Sequence, residues 1–463
     1  MPIHPFDFKL QADVFSTPRG REIFAETSRI RNWLDFEAAL ALSQAELGII
    51  PAAAARIIQN KARLDNLDLA AIAGEYTRNR NSLMPVIKAL RQVCGSAGEF
   101  VHYGVTTQDV IDSGQIIALK QVLKIIKDNL FQIEDILLDM ARRYRDQAMI
   151  GRTHSQQAVP ITFGLKSAVW LSELGRYCQR LEELRPRLLK GQLSGAVGTM
   201  SALGEQGREV ARLTMGRLGL GVSTVSWHTS RDNIAETSCF FAMLSATAAK
   251  IANEIFQLGK TEIMELRESP PKGQAAGSST MPHKRNPVIC ERIAAMNSHI
   301  RSLSGVIMEA MIHEDERDPR ALWSEWLAVP QISVYTMTVL QYLQEVLSNL
   351  EVNPDAMRQN LFRQKEMILS EWLLFRLSAV MGKNRAHEVL NPLVKRALAE
   401  NESLKDLLSA TPEIKAVLSS ADLNNLDHPE KYTGLASRIV DDVIMETAAL
   451  RQGNRAGGNH EPL

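Results

Sequence analysis

From Val122 to Tyr144 the chain reads VLKIIKDNLFQIEDILLDMARRY, and Ile126, Leu130, Ile133, Leu137, Met140 and Tyr144 recur at alternating spacings of four and three residues. That interval is a heptad seam. It keeps one apolar stripe facing a partner helix over six turns and predicts helices packed at a shallow angle. FFAMLSATAAKIANEIFQLGKTEIMEL carries a second seam at Leu244, Ala248, Ile251, Ile255 and Leu258. QISVYTMTVLQYLQEVLSNL carries a third at Ile332, Tyr335, Val339, Tyr342 and Val346. Clear alternating strands are nearly absent, so the expected fold class is all-α, built on an elongated bundle. Shorter helical patterns such as RNWLDFEAALALSQAEL precede the seams, and the pattern shortens again after EVNPDAM. Three regions follow: an N-terminal helical domain (1–112), a central long-helix bundle (113–355) and a C-terminal helical domain (356–463) ending in the polar tail RQGNRAGGNHEPL.

Composition excludes several function classes. Among 463 residues, 53 Lys and Arg balance 53 Asp and Glu, which gives no support to nucleic acid or a membrane surface as partner. Cys94, Cys178, Cys239 and Cys290 lie far apart, with no Cys-x-x-Cys and no Cys/His cluster, so neither a metal site nor a disulfide framework is expected. MPIHPFDFKL has neither a basic nor an apolar leader region, and no run of about 18 apolar residues occurs. The expected compartment is the cytoplasm.

Three stretches interrupt the helical code with residues a core does not need. HYGVTTQDVIDSG (102–114) places Thr106 and Thr107 before Gln108. They suit an N-cap and first turn, or a seat for a carboxylate at a helix N-terminus. GRTHSQQAVPITFG (151–164) gathers Arg152, Thr153, His154 and Gln156 between a helix expected to end near Met149 and one expected after Pro160. A lone histidine is an ordinary structural residue, but four such polar groups together are costly to bury without partners. GSSTMPHKRNP (277–287) combines a small-residue run with Lys284, Arg285 and two prolines. It is not a P-loop, because Lys284 is followed by Arg285, and no Gly-x-Ser-x-Gly surrounds Ser278 or Ser279. A solvated basic loop is the alternative. In HEDERDPRALWSEW (313–326), His313, Arg317 and Arg320 accompany Trp323 and Trp326, and their charges also suit a solvated helix face.

These residues together resemble the fumarase/aspartase superfamily. GSSTMPHKRNP fills every fixed position of its signature loop, and the two earlier stretches are similar to its first and second shared regions. SGAVGTMSALG (194–204) and WHTSRD (227–232) resemble its adenylosuccinate-lyase and 3-carboxy-cis,cis-muconate-cycloisomerase branches. The resemblance implies a homotetramer around a core of about twenty helices, with each active site drawn from three subunits. It also implies a lyase that takes a proton from the carbon beside a carboxylate and expels a leaving group from the next carbon, without a cofactor. In that scheme Ser278 is the base, Lys284 stabilises charge, and His154 is the general acid, worth roughly 10²–10⁴-fold. Thr106, Thr107, Gln108, Arg152, Thr153, Gln156, Arg231, Ser279, Met281 and Asn286 are the expected contacts to a di- or tricarboxylate substrate. The 277–287 stretch then reads as a lid that closes over the site.

The branch is less sharply marked. RNRNSLMPVIKAL (78–90) and HEDERDPRALWSEW look more like the cycloisomerases, whereas retention of His154 suits a lyase that expels an amine. The expected activity is therefore C–N cleavage releasing fumarate. The alternatives are a cycloisomerase, an adenylosuccinate lyase and a non-catalytic structural tetramer.

Overall fold

A computed structural model of the chain describes residues 4–271, 280–281 and 283–457. Its main elements are the helices α1 (Glu26–Glu46) and α2 (Thr107–Arg143), a hairpin of β1 (Ala148–Thr153) and β2 (Gln156–Thr162), and then α3 (Phe163–Leu188), α4 (Asp232–Leu258), α5 (Val288–Glu309), α6 (Pro319–Ser348), α7 (Ser370–Met381), α8 (Lys383–Glu400) and α9 (Ala436–Gly457). The all-α expectation holds, and the five long helices α2 to α6 form the bundle.

The seams are the core. Ile126, Leu130, Ile133 and Leu137 of α2 are fully buried, as are Leu244, Ala248 and Ile251 of α4 and Val339 and Val346 of α6. By length and composition α4 is apolar enough to cross a bilayer, but its apolar seam is buried against its neighbours in the bundle. Asp109 begins α2 by accepting the backbone N–H of Thr106 at 3.0 Å, and Arg142 and Arg143 oppose the helix dipole in its last turn. Where α1 crosses α2, Gly114 is required, since a Cβ there would lie 2.9 Å from Trp33 Cδ1.

The first 112 residues and the long helices share one continuous apolar core, and the boundary at residue 112 falls inside α2. Residues 361–426 bury a core of their own around Leu373, Leu377, Leu404 and Leu408, which Ile150 of β1 joins. The last helix returns to the bundle, where Val440 packs on Ala141 and Ala168, and Arg145 holds Asp441 at 2.6 and 2.8 Å.

One expectation needs correction. The stretch 151–164 is not a link between a helix ending near Met149 and one after Pro160. It lies mostly within an antiparallel hairpin, with Met149 opposite Ile161, Ile150 opposite Pro160 and Thr153 opposite Gln156. His154 and Ser155 form its tip with φ of 51° and 62°, the pair of positive values a tight two-residue hairpin turn demands. Helix α2 stops six residues earlier than expected, at Arg143.

Candidate active site

The amino end of α2 gathers most of the first expected region. Asp109 is fully buried and accepts four N–H donors at 3.0 Å: the backbone of Thr106, Ser194 and Gly195, and Nε2 of His228. One carboxylate thus ties the helix end to the loop SGAVGT (194–199), which turns through Gly195 at φ 76° and Gly198 at φ 88°. Gln108 is buried beside it and donates to the carbonyl of His228 at 3.1 Å.

Arg317 closes this cluster. Its guanidinium donates to Thr106 Oγ1 at 2.7 Å, Gln108 Oε1 at 3.1 Å and Thr107 Oγ1 at 3.4 Å. All three partners are neutral. Among the described residues no carboxylate stands within ion-pairing distance of it. The neighbouring Arg320 behaves differently, pairing with Glu314 at 2.7 Å and Asp318 at 2.8 Å. Its hydrogen bonds hold the Asp318 carboxyl down at about 2. The two arginines that the sequence left undivided therefore part: Arg320 is neutralised on the surface, and Arg317 adds a cation to a helix end that already favours anions.

Behind this cluster lies Arg231, and its position argues against the substrate contact expected of it. The side chain is 1% exposed and donates to Asp112 at 3.0 and 3.1 Å and to Glu325 Oε1 at 2.7 Å. Burial opposes its charge, but the two carboxylates outweigh burial and raise its pKa. Its donors are directed at these inward carboxylates, so Arg231 ties α2, α4 and α6 together. Beside it His313 has both ring nitrogens buried without partners, and burial, followed by the charge of Arg231, lowers its pKa and keeps it neutral.

The second region sits on the hairpin. His154 and Thr153 are exposed at its tip with Gln156. Arg152 is turned away from the tip and grips the fully buried Glu265 at 2.7 and 2.8 Å, with Asn360 adding a bond to the same carboxylate at 2.9 Å. That pair anchors the hairpin against the strand-like turn at Leu266–Arg267, and it occupies the guanidinium expected to meet substrate.

Of the third region, Gly277, Ser278, Ser279 and Pro282 lie outside the described residues. Its stem is described. Glu268 caps α5 from the near side, accepting the N–H of Ile289 at 2.9 Å and of Cys290 at 2.8 Å. Arg267 and Arg285 both approach Glu351 at 3.5 Å, drawing the two ends of the loop together. Lys284 and Met281 are exposed and Asn286 is half-buried. Among the described residues no hydrogen bond or ion pair joins the α2 end to the hairpin tip or to the loop stem.

Sequence reasoning missed Asp109 and His228 and left Arg317 open. Asp109 was findable, because an acidic residue three positions after Thr106 spells a capping box. His228 lies in WHTSRD, but nothing in a sequence reports that its ring meets a carboxylate 119 residues away.

A family model described as "Lyase" matches residues 14–302, and one described as "Adenylosuccinate lyase C-terminus" matches residues 366–443. The chain is 38% identical to an N-acetyl-S-(2-succino)cysteine lyase of Dickeya dadantii (strain 3937), over 96% of this chain and 98% of that one. It is 35% identical to an adenylosuccinate lyase of Methanocaldococcus jannaschii, over 96% of each. In three dimensions it is similar to a 3-carboxy-cis,cis-muconate lactonizing enzyme from Pseudomonas putida, with a TM-score of 0.88 and 34% identity over 95% of this chain and 99% of that one. The chain belongs to this lyase family, within the fumarase/aspartase superfamily.

Proposed function

We propose that the protein releases fumarate from a succinyl group carried on a heteroatom, by removing the proton beside one carboxylate and expelling the heteroatom from the adjacent carbon. The observation that carries this reading is the set of neutral partners around Arg317 at the amino end of α2. A guanidinium, two threonine hydroxyls and a helix dipole suit a carboxylate, and they suit best one that gains negative charge as the proton leaves. Ser278 is the base by its place in the signature loop. A serine alkoxide needs nearby donors and cations, which Lys284 and Asn286 supply in this scheme. His154 is the acid. Among the described residues no hydrogen bond or ion pair joins the hairpin tip or the loop stem to the α2 end, and the scheme brings them together by assembling a homotetramer.

We assign sulfur as the leaving atom in place of the nitrogen expected from the sequence, on the 38% identity to a succinocysteine lyase. The chemistry places less demand on the acid: a thiol with a pKa of about 8.5 departs as thiolate, while an amine needs a proton first. A cycloisomerase is the second reading, favoured by the likeness to the Pseudomonas putida enzyme. The test is absorbance of fumarate from N-acetyl-S-(2-succino)cysteine and adenylosuccinate, with 3-carboxy-cis,cis-muconate assayed beside them. Fumarate from the thioether supports the assignment. Turnover of the muconate alone establishes the second reading in its place.

A further inference from the structure

The turn SGAVGTMSALG (194–204) enters the site above only through the backbone N–H groups that Ser194 and Gly195 give to Asp109. The same turn also walls a cavity of 130 Å³. Ser194, Thr199 and Met200 form one side, Ser226 another, and the helix Gly207–Arg217 closes it with the face that carries Arg208. Gly198 lets the two loops meet, since its φ is 88° and a Cβ there would lie 2.8 Å from Cβ of Ser226. None of Thr106, Thr107, Gln108 and Arg317 lines this cavity.

Its polar side chains are donors, and Gln192 sets two of them. The amide oxygen of Gln192 accepts the N–H of Trp227 at 3.0 Å, which leaves Nε2 to donate to Ser194 Oγ and, at 3.1 Å, to Ser226 Oγ. Ser226 Oγ also accepts the N–H of His228 at 3.4 Å. Both serine oxygens therefore act as acceptors, and each keeps its own O–H proton, for which no described residue supplies an acceptor. Gln192 and Ser194 are 1% and 3% exposed, so the donors stand on a buried floor. Arg208 adds the charge. On the same helix Arg212 pairs with Glu209 and Arg217 with Glu46, whereas among the described residues Arg208 makes no ion pair and no hydrogen bond. No carboxylate lines the cavity.

Hydroxyl donors and a cation with no acceptor opposite them are the complement of an anion. These donors come from three chain segments and not from one plane, which suits the tetrahedral oxygens of phosphate or sulfate better than a flat carboxylate. A volume of 130 Å³ has room for about four waters or one such ion.

We propose that this cavity binds one free divalent oxyanion of the phosphate or sulfate class between Arg208, Ser194 and Ser226, and that the ion thereby holds the 194–200 turn on Asp109. Ser194 makes the link, because its O–H meets the ion while its N–H meets Asp109. The binding does not depend on the elimination reaction proposed above.

The test is isothermal titration of inorganic phosphate into the full-length protein at constant ionic strength. Saturable binding is expected, weakened roughly tenfold in Arg208→Gln and severalfold in Ser226→Ala. It should be unchanged in Arg212→Gln, which removes a charge from the same helix outside the cavity. Arg208 is exposed, so its replacement reads binding and not folding. No saturable binding, or equal losses in Arg208→Gln and Arg212→Gln, overturns the proposal. O-phosphoserine is the second probe. A site for a free ion binds it more weakly than phosphate, and tighter binding of phosphoserine contradicts the assignment. Hydrogen exchange reads the link to Asp109: phosphate should slow exchange of the 194–200 amides severalfold in the wild type and not in Arg208→Gln. Phosphate that binds while leaving that exchange unchanged overturns the link.

Discussion

Two arginines flank the amino end of α2, and they are treated in opposite ways. Arg231 is enclosed and meets two carboxylates, Asp112 and Glu325, in a network that seals α2 to α4 and α6. Arg317 is half-buried and meets two hydroxyls and an amide, with no carboxylate among the described residues to cancel its charge. Burying a cation beside anions makes a structural joint, because each charge compensates the other. Leaving a cation among neutral acceptors at a helix N-terminus keeps its field available to a ligand. The sequence offers the same residue type at both places, and the difference lies in what the fold sets opposite each one.

The largest expected effect breaks the structural member of the pair. Arg231→Met leaves Asp112 and Glu325 buried without their cation and should cost about 3–5 kcal/mol, read as a lowered urea midpoint. A midpoint shift below about 1 kcal/mol would mean that the joint is not structural. Next comes the acid. His154→Asn should slow fumarate release from an amine by roughly 10²–10⁴-fold, but release from a thioether by only a few-fold, since thiolate leaves unaided. Equal losses on both substrates would remove the sulfur argument.

A buried, titratable version of the Arg231 arrangement lies at His102, whose Nδ1 sits 2.6 Å from Glu37 in a pair that is 8% and 1% exposed. Burial opposes charge on His102, but the charge and hydrogen bond of Glu37 outweigh it and raise the pKa above the ordinary value. A group with a raised folded pKa stabilises fully below its unfolded value of about 6.5 and loses that contribution as pH rises through the folded value. Stability of the wild type should therefore fall on the alkaline side of that range, and His102→Gln should flatten the fall. The deficit of Arg231→Met should instead shrink as pH falls, because Asp112, raised by burial and left without its cation, takes up a proton. The smallest effect is at Arg320, whose own guanidinium is exposed in its pairs with Glu314 and Asp318, so that Arg320→Gln should leave both the unfolding midpoint and kcat/KM as they are.

Much of the architecture was legible because heptad seams constrain packing directly: Ile126, Leu130, Leu244 and Val339 are buried where the spacing puts them. The hairpin was not legible. Its strands are short, Gly151 and Pro160 interrupt the alternation, and the polar run at its tip reads like any interhelical loop, although Ala-Val-Pro-Ile-Thr carries a β-prone pattern. The site was legible in its residue types and less so in their roles. Thr106, Thr107 and Gln108 do gather around one cation, but Arg152 and Arg231 turned to Glu265, Asp112 and Glu325, carboxylates distant in sequence. Propensity and spacing describe a residue's own helix or strand, and no local pattern names the partner that folding brings to it.

The most direct test of the central claim is kcat/KM for fumarate release by Arg317→Met, measured with its unfolding midpoint. An uncompensated cation that serves the substrate predicts a loss of roughly 10²–10³-fold with the midpoint unchanged. Activity within a few-fold of wild type, or a loss that appears only together with a fall in stability, would show that Arg317 is a second structural arginine and contradict the account.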